Sequence, residues 1–244
     1  RHHAYHALTA GFVIADLVEK VSGRSFRGFF RERIARPLGL ESLDFGARGR
    51  TLERLARNYS VGFRIDAPVD LYLKRAIGTS LEHAVELSND PRYYRAVIPA
   101  GNGVGTADEC CRFFQCLLNG GELGGVRVFQ PLTVRRAIAE VGKPELDRSL
   151  MVPLRYSAGM MLGASPFGLY GPDTARAYGH LGFANNFVWA DPERAIAVAL
   201  LTTGKVLVGL HAPYLVSLLC NISRHCPKLA EEEQEEALYA AGMY

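Results

Sequence analysis

Tyr178-Gly-His-Leu-Gly-Phe-Ala-Asn-Asn-Phe-Val-Trp-Ala-Asp-Pro-Glu-Arg194 runs on into Ala195-Ile-Ala-Val-Ala-Leu-Leu201. It reads as two strands joined by a tight turn, because Pro192 suits the second position of a type I turn with Asp191 before it. Beyond the turn, Ile196, Val198 and Leu200 alternate with Ala195, Ala197 and Ala199. One face therefore carries branched bulk, and the other is small enough for a helix to approach closely. With both faces apolar, the second strand reads as an interior strand of an antiparallel sheet. The first strand is unusual. Gly179 and Gly182 bracket His180 where a strand normally wants side-chain bulk, and strand glycines mark close approach of a ligand or another backbone.

Working outward, residues 212–223 have helical period through Tyr214, Leu215, Leu218, Leu219 and Ile222. The acidic tail from Cys226 reads as a solvated, partly helical end. On the N-terminal side, Ser165–Ala175 is turn-rich, Tyr156–Leu162 reads as a strand, and Pro131 opens a helix through Val141. Gly124-Gly-Val-Arg-Val-Phe129 is hairpin-like. Pro99-Ala-Gly-Asn-Gly-Val-Gly105 is a glycine-rich loop feeding Thr106-Ala-Asp-Glu109, which has the form of a capping box. The helix after it runs to Asn119, with Cys110, Phe113, Phe114, Leu117 and Leu118 inward. Residues 41–100 read as loop-rich, with helical pieces at 52–57 and 70–77 and a turn at Asp90-Pro91. Near the N-terminus, one helix carries Phe12, Ala15, Val18 and Val21 on one face and stops at Gly23. Ser25 caps a second, from Phe26 to Ala35, which Pro37 stops. The fold class expected is α+β: an antiparallel sheet flanked by helices, with a helical, loop-rich lobe over residues 5–150, the sheet and its packing helix over 151–225, and a polar tail over 226–244.

The 244 residues are 48% apolar and 22% charged, with a formal charge of +3, as for an ordinary globular domain. The basic residues are dispersed, which excludes a nucleic-acid surface. No apolar run is long enough to span a membrane. Five cysteines without metal spacing read as reduced thiols and point to a cytoplasmic setting. His2, His3 and His6 cluster but lack a metal-binding pattern, so neither metal nor cofactor is expected. The glycine loop has no P-loop lysine and reads as a ligand-facing turn, with Asn102 and Gly103 as substrate-binding candidates.

Three stretches together resemble the serine β-lactamase superfamily, in particular its class C-like carboxylesterases. They are Tyr5-His-Ala-Leu-Thr-Ala-Gly11 with Arg36-Pro-Leu-Gly-Leu40, Pro99 to Glu109 with Leu117-Leu-Asn-Gly-Gly121, and Gly179-His-Leu-Gly182 with Trp189 to Arg194. That family joins a Ser-x-x-Lys motif, a tyrosine motif and a Lys-Thr-Gly or His-x-Gly strand in one cleft. The resemblance implies that Tyr5 relays the serine proton. It implies that His180 stands for the lysine of the last motif, donating a hydrogen bond or acting as a cation. It further implies that Gly182 keeps the strand open, and that the N–H of Phe183 is an oxyanion donor. Phe183, Phe167 and Tyr170 are candidates for an apolar acyl wall. Ala7 replaces an asparagine that binds substrate amides in many members, which favours small-molecule esters over lactams.

No serine in the chain has a lysine three residues on, and no Gly-x-Ser-x-Gly elbow occurs. The nucleophile is therefore expected upstream, with this chain an N-terminally truncated and itself inactive piece. The expected function is that of a serine carboxylesterase. A D-amino-acid peptidase or β-lactamase of the same fold, and a non-catalytic binding module, remain as alternatives.

Overall fold

A computed structural model describes residues 4–63, 70–71, 74, 77–183, 185–206 and 209–243. Its centre is a six-stranded antiparallel sheet: β1 (Glu145–Leu146), β2 (Pro153–Tyr156), β3 (Met161–Leu162), β4 (Tyr178–Gly182), β5 (Asn186–Asp191) and β6 (Ile196–Leu200). The strands neighbour one another in chain order, so the sheet is a meander. The fold class is α+β, as expected.

The opening stretch forms three strands, not two. Its first half folds back at Phe183, whose φ of 41° turns the chain between β4 and β5. The segment 156–162 likewise splits into two strands. The hydroxyl of Ser157 accepts from the N–H groups of Gly159 and Met160 and so makes a turn between them. The Asp191 turn is as read: the Arg194 N–H donates to the Asp191 carbonyl at 3.2 Å. β6 lies at the edge of the sheet and not in its interior, because among the described residues its outer side pairs with no strand.

Cross-strand register sorts the two faces. His180 pairs with Val188 and Val188 with Ala199, while Tyr178 pairs with Ala190 and Ala190 with Ala197. On this face, helix α5 (Ala107–Leu118) sits close over the alanines and buries Leu117 with Tyr178, Leu162 and Ala190. The opposite face carries Phe187, Trp189, Val198 and Leu200 against Leu215, Leu219 and Ile222 of a C-terminal helix (Ala212–His225).

The remaining helices are numbered in chain order: α1 (Thr9–Ser22), α2 (Phe26–Phe30), α3 (Leu81–Ser88), α4 (Pro91–Arg95), α6 (Pro131–Ile138), α7 (the Ala212–His225 helix) and α8 (Glu231–Ala240). Gly23 ends α1 in the left-handed region at φ 67°. The apolar stripe read for α1 is not buried, however: only Ala15 is, while Phe12 and Val21 are exposed. Ser25 caps α2, which continues as a π-helical turn to Ala35. Asp90-Pro91 proves to be a helix start, with the Asp90 carboxylate accepting from the Arg92 N–H at 2.7 Å. The piece read at 52–57 is a single helical turn at Arg50–Glu53, and that at 70–77 lies largely outside the described residues. The α5 capping box is half formed. Thr106 accepts from the Glu109 N–H, but the Glu109 carboxylate instead takes the N–H groups of Glu41 and Ser42, tying α5 to the chain beyond α2. No helix among the described residues is long and apolar enough to cross a membrane.

Candidate active site

Tyr5 and His180 come from opposite ends of the chain, and their rings meet with centroids 5.8 Å apart and planes tilted by 43°. Tyr5 lies in the extended lead into α1, and His180 lies at the middle of β4. The two flanking glycines do different jobs. A side chain at Gly179 would strike the Val188 carbonyl oxygen and the Trp189 backbone, so this glycine serves the close approach of β5. A side chain at Gly182 would meet nothing within 4 Å, so the open side of β4 is at its end, next to Phe183.

The protonation of His180 follows from its partner. Nδ1 lies 2.7 Å from the Leu181 carbonyl oxygen, which only accepts, so Nδ1 carries a proton. Desolvation holds the imidazole below its ordinary pKa, against the opposing pull of the Leu181 carbonyl. The ring is then neutral at pH 7, and Nε2 presents a lone pair. Against the expectation of a cation, His180 is neutral: it donates through Nδ1 to the Leu181 carbonyl and keeps Nε2 as an acceptor.

Tyr5 has its phenol pKa raised, first by desolvation and then by the negative charge of Asp147. Asp147 has no exposed surface, and sequence reasoning missed it. Its carboxylate accepts from the N–H groups of Ser149 and Leu150, both at 2.8 Å, and from the Tyr156 hydroxyl at 3.0 Å. Desolvation alone would raise its pKa. These donors, with the backbone N–H of Tyr5, hold it below the ordinary carboxylate value. The stretch Asp147-Arg-Ser-Leu150 carries no pattern in the sequence that distinguishes this aspartate from any turn aspartate.

The glycine loop packs against the start of α1, since side chains at Gly11 and Gly101 would strike Ala100 and Leu8 respectively. Asn102 is corrected from a substrate ligand to a scaffold residue. It is 6% exposed, with Oδ1 accepting from the Ile98 N–H and Nδ2 donating to the Tyr93 and Ala96 carbonyls. Gly103 pairs with Phe45 in a two-residue strand. Tyr170 is likewise corrected. It is fully buried on the α7 side, stacked on Trp189 at 5.4 Å, and its hydroxyl bonds the Met161 carbonyl, so it cannot wall a cleft on the His180 face. Phe167 is half exposed on a separate two-stranded hairpin with Gly171–Pro172. Ala7 is partly buried in the bend before α1.

A second buried charge adjoins the Phe183 turn. Lys205 is 1% exposed, and its ammonium bonds the Asn186 Oδ1 at 3.0 Å and the Thr202 carbonyl, 5.4 Å from the Phe183 ring centre. Burial lowers its pKa to about 8. Thr202 is the one threonine with a lysine three residues on. Its hydroxyl is 3.4–3.5 Å from Asn185 O, Asn186 Oδ1 and Gly204 O, the contacts of a residue that fastens a turn. Among the described residues, no three His, Cys, Asp or Glu side chains gather as a metal site.

The family model described as Beta-lactamase matches residues 1–217. The chain is 32% identical over 221 residues to the "Esterase/beta-lactamase LipL" of Mycobacterium tuberculosis (strain ATCC 25618 / H37Rv), with 81% of this chain and 47% of that protein covered. Among solved structures, a penicillin-binding protein homolog from Caulobacter crescentus superposes with a TM-score of 0.70 at 26% identity, over 99% of this chain and 59% of that one. A family VIII carboxylesterase superposes at 0.74 and 21% identity, over 93% and 59% of the two chains, a likeness of fold. The chain thus spans about half the length of the curated relative it matches.

Proposed function

Because the chain belongs to the beta-lactamase family, we propose that it supplies the tyrosine and histidine side of a serine carboxylesterase site. The observation that carries this reading is the meeting of Tyr5 and His180 beside the open end of β4. In this reading the acylating serine lies outside these 244 residues, none of whose serines has a lysine three on. The serine oxygen attacks the ester carbonyl, and the alcohol leaves with a proton passed through the Tyr5 phenol. Water then attacks the acyl-enzyme and releases the acid. His180, with Nε2 free to accept, orients the phenol. The N–H of Phe183 donates to the developing oxyanion, a contribution of about 3–4 kcal/mol where such a donor acts.

Ala7 favours esters, since no side-chain amide at that position waits for a substrate amide. The second reading is lactam or D-amino-acid peptide hydrolysis, and its lactam part draws support from the β-lactamase half of the mycobacterial relative's name. The test is hydrolysis of p-nitrophenyl butyrate, nitrocefin and a D-Ala peptide by the full-length protein and its Tyr5→Phe variant. Ester turnover that falls at least about 100-fold in the variant supports the proposal. Lactam or peptide turnover with esters untouched favours the second reading. No turnover of any of the three points to a binding module.

A further inference from the structure

Phe183 is held where side chains bearing a Cβ are rarely found: its φ of 41° lies in the left-handed region, and the turn between β4 and β5 depends on it. Such a conformation persists only when surrounding contacts fix it. The contacts come from residues 202–205, beyond β6. Asn185 Nδ2 donates to the Gly204 carbonyl at 2.8 Å, and the Thr202 N–H donates to Asn186 Oδ1 at 2.9 Å. Two amide bonds of this kind would fasten an ordinary turn. Here a charge is added. The Lys205 ammonium donates to the same Asn186 Oδ1 at 3.0 Å and to the Thr202 carbonyl, and it lies over the Phe183 ring, 5.4 Å from its centre. That distance is within the reach of a cation–π contact, which strengthens when the cation is desolvated. Lys205 is 1% exposed, and its backbone is fixed from the other side, where the Val61 N–H donates to its carbonyl at 3.1 Å.

Burying an ammonium without a carboxylate is costly, and a neutral chain of the same length would fill the space without that cost. We propose that Lys205 is a positioning residue for the oxyanion donor: its ammonium, seated on Asn186 and Thr202, holds the Phe183 ring and so fixes the Phe183 backbone N–H at the open end of β4. The inference rests on the carboxylesterase reading for its kinetic consequence, but not for its structural one. Being buried, Lys205 does not reach substrate; it acts through Phe183. With the ammonium in place, the donor N–H stands ready before charge develops on the carbonyl oxygen, and such preorganisation lowers the barrier. Without it, Phe183 relaxes toward an ordinary φ, and the peptide plane that carries the N–H turns with it.

The experiment uses the full-length protein at pH 7, where Lys205 is charged. Lys205→Met lowers kcat for p-nitrophenyl butyrate about 10-fold or more, with KM within about twofold, the signature of a donor that acts in the transition state. The assay is run well below the variant's melting midpoint, so that a role in stability alone leaves kcat unchanged; that result overturns the proposal. Phe183→Leu keeps the N–H and removes the ring. Its kcat loss and that of Lys205→Met do not multiply in the double variant, since both act through one contact, and losses that multiply overturn the proposal. In the crystal structure of Lys205→Met, Phe183 leaves the left-handed region; a φ that stays positive overturns the proposal whatever the kinetics. If Lys205→Met does not fold, Phe183→Leu decides alone: kcat falls and residue 183 leaves the left-handed region, and either one unchanged overturns the proposal. Should the unmodified protein hydrolyse no ester, the carboxylesterase reading fails, while the Lys205→Met structure still decides whether the ammonium holds the turn.

Discussion

Nδ1 of His180 stands 2.7 Å from the carbonyl oxygen of Leu181, the next residue on β4. The bond settles which nitrogen carries the proton and leaves Nε2 as the acceptor.

Because desolvation puts the folded pKa of His180 below its ordinary value, the unfolded chain binds this proton more readily. The contribution to stability is full above the ordinary histidine value of about 6.5 and is lost as pH falls from there through the lowered folded pKa. His180→Gln should flatten that acid limb. Urea unfolding of both proteins at pH 7.5 and 5.5 checks this, and equal acid sensitivity would refute it.

Gly179 and Gly182 should respond oppositely to alanine. Gly179→Ala drives a methyl into the β5 backbone, with an expected loss of about 1–3 kcal/mol or more. Gly182→Ala meets open space and should change stability by less than about 0.5 kcal/mol, while lowering ester turnover by narrowing the mouth of the site. Chemical denaturation and a turnover assay on the two variants separate these effects.

Asp191 and Arg194 form an ion pair at 2.7 Å, with side chains only 1% and 5% exposed. Desolvation raises the Asp191 pKa despite the guanidinium beside it, a sign that its charge needs that partner. Arg194→Met should therefore cost about 3–5 kcal/mol, and Asp191→Leu added to it should restore much of the loss. Midpoints of guanidinium unfolding for the single and double variants test the coupling.

Lys205 is a buried ammonium that donates to the Asn186 Oδ1 and the Thr202 carbonyl and lies over the Phe183 ring, with no carboxylate paired to it among the described residues. Its folded pKa of about 8 lies below the ordinary lysine value, so the folded chain gains stability as pH rises from about 8 toward 10.5. Lys205→Met should abolish that alkaline gain. Thermal melts between pH 7 and 10 would show parallel curves for the two proteins if this is wrong.

Much of the local structure was legible because it is written in short-range chemistry. Ser25, Thr106 and Gly23 mark helix ends through their own caps and φ values, and the alanines of β6 foretell the close seat of α5. Asp90-Pro91 was misread, since the same dipeptide begins a turn or a helix and only the segment after it decides which. The long strands read at 156–162 and 178–191 were cut by hydrogen bonds to Ser157 and by the left-handed Phe183, neither of which interrupts the apolar pattern. Glu109 had the right spacing for a reciprocal cap, but two N–H groups from residues 41–42 competed for its carboxylate and won.

The sequence by itself determined where most helices begin, which face of β6 receives a helix, and which glycine-flanked histidine merits notice, because those are matters of period, size and neighbouring caps. Only the tertiary structure decided that Tyr5 meets His180, that the imidazole is neutral with Nε2 as its acceptor, and that Asp147 and Lys205 lie buried. Those properties come from desolvation and from hydrogen-bond partners brought in by segments far away in the chain, and no local pattern records them.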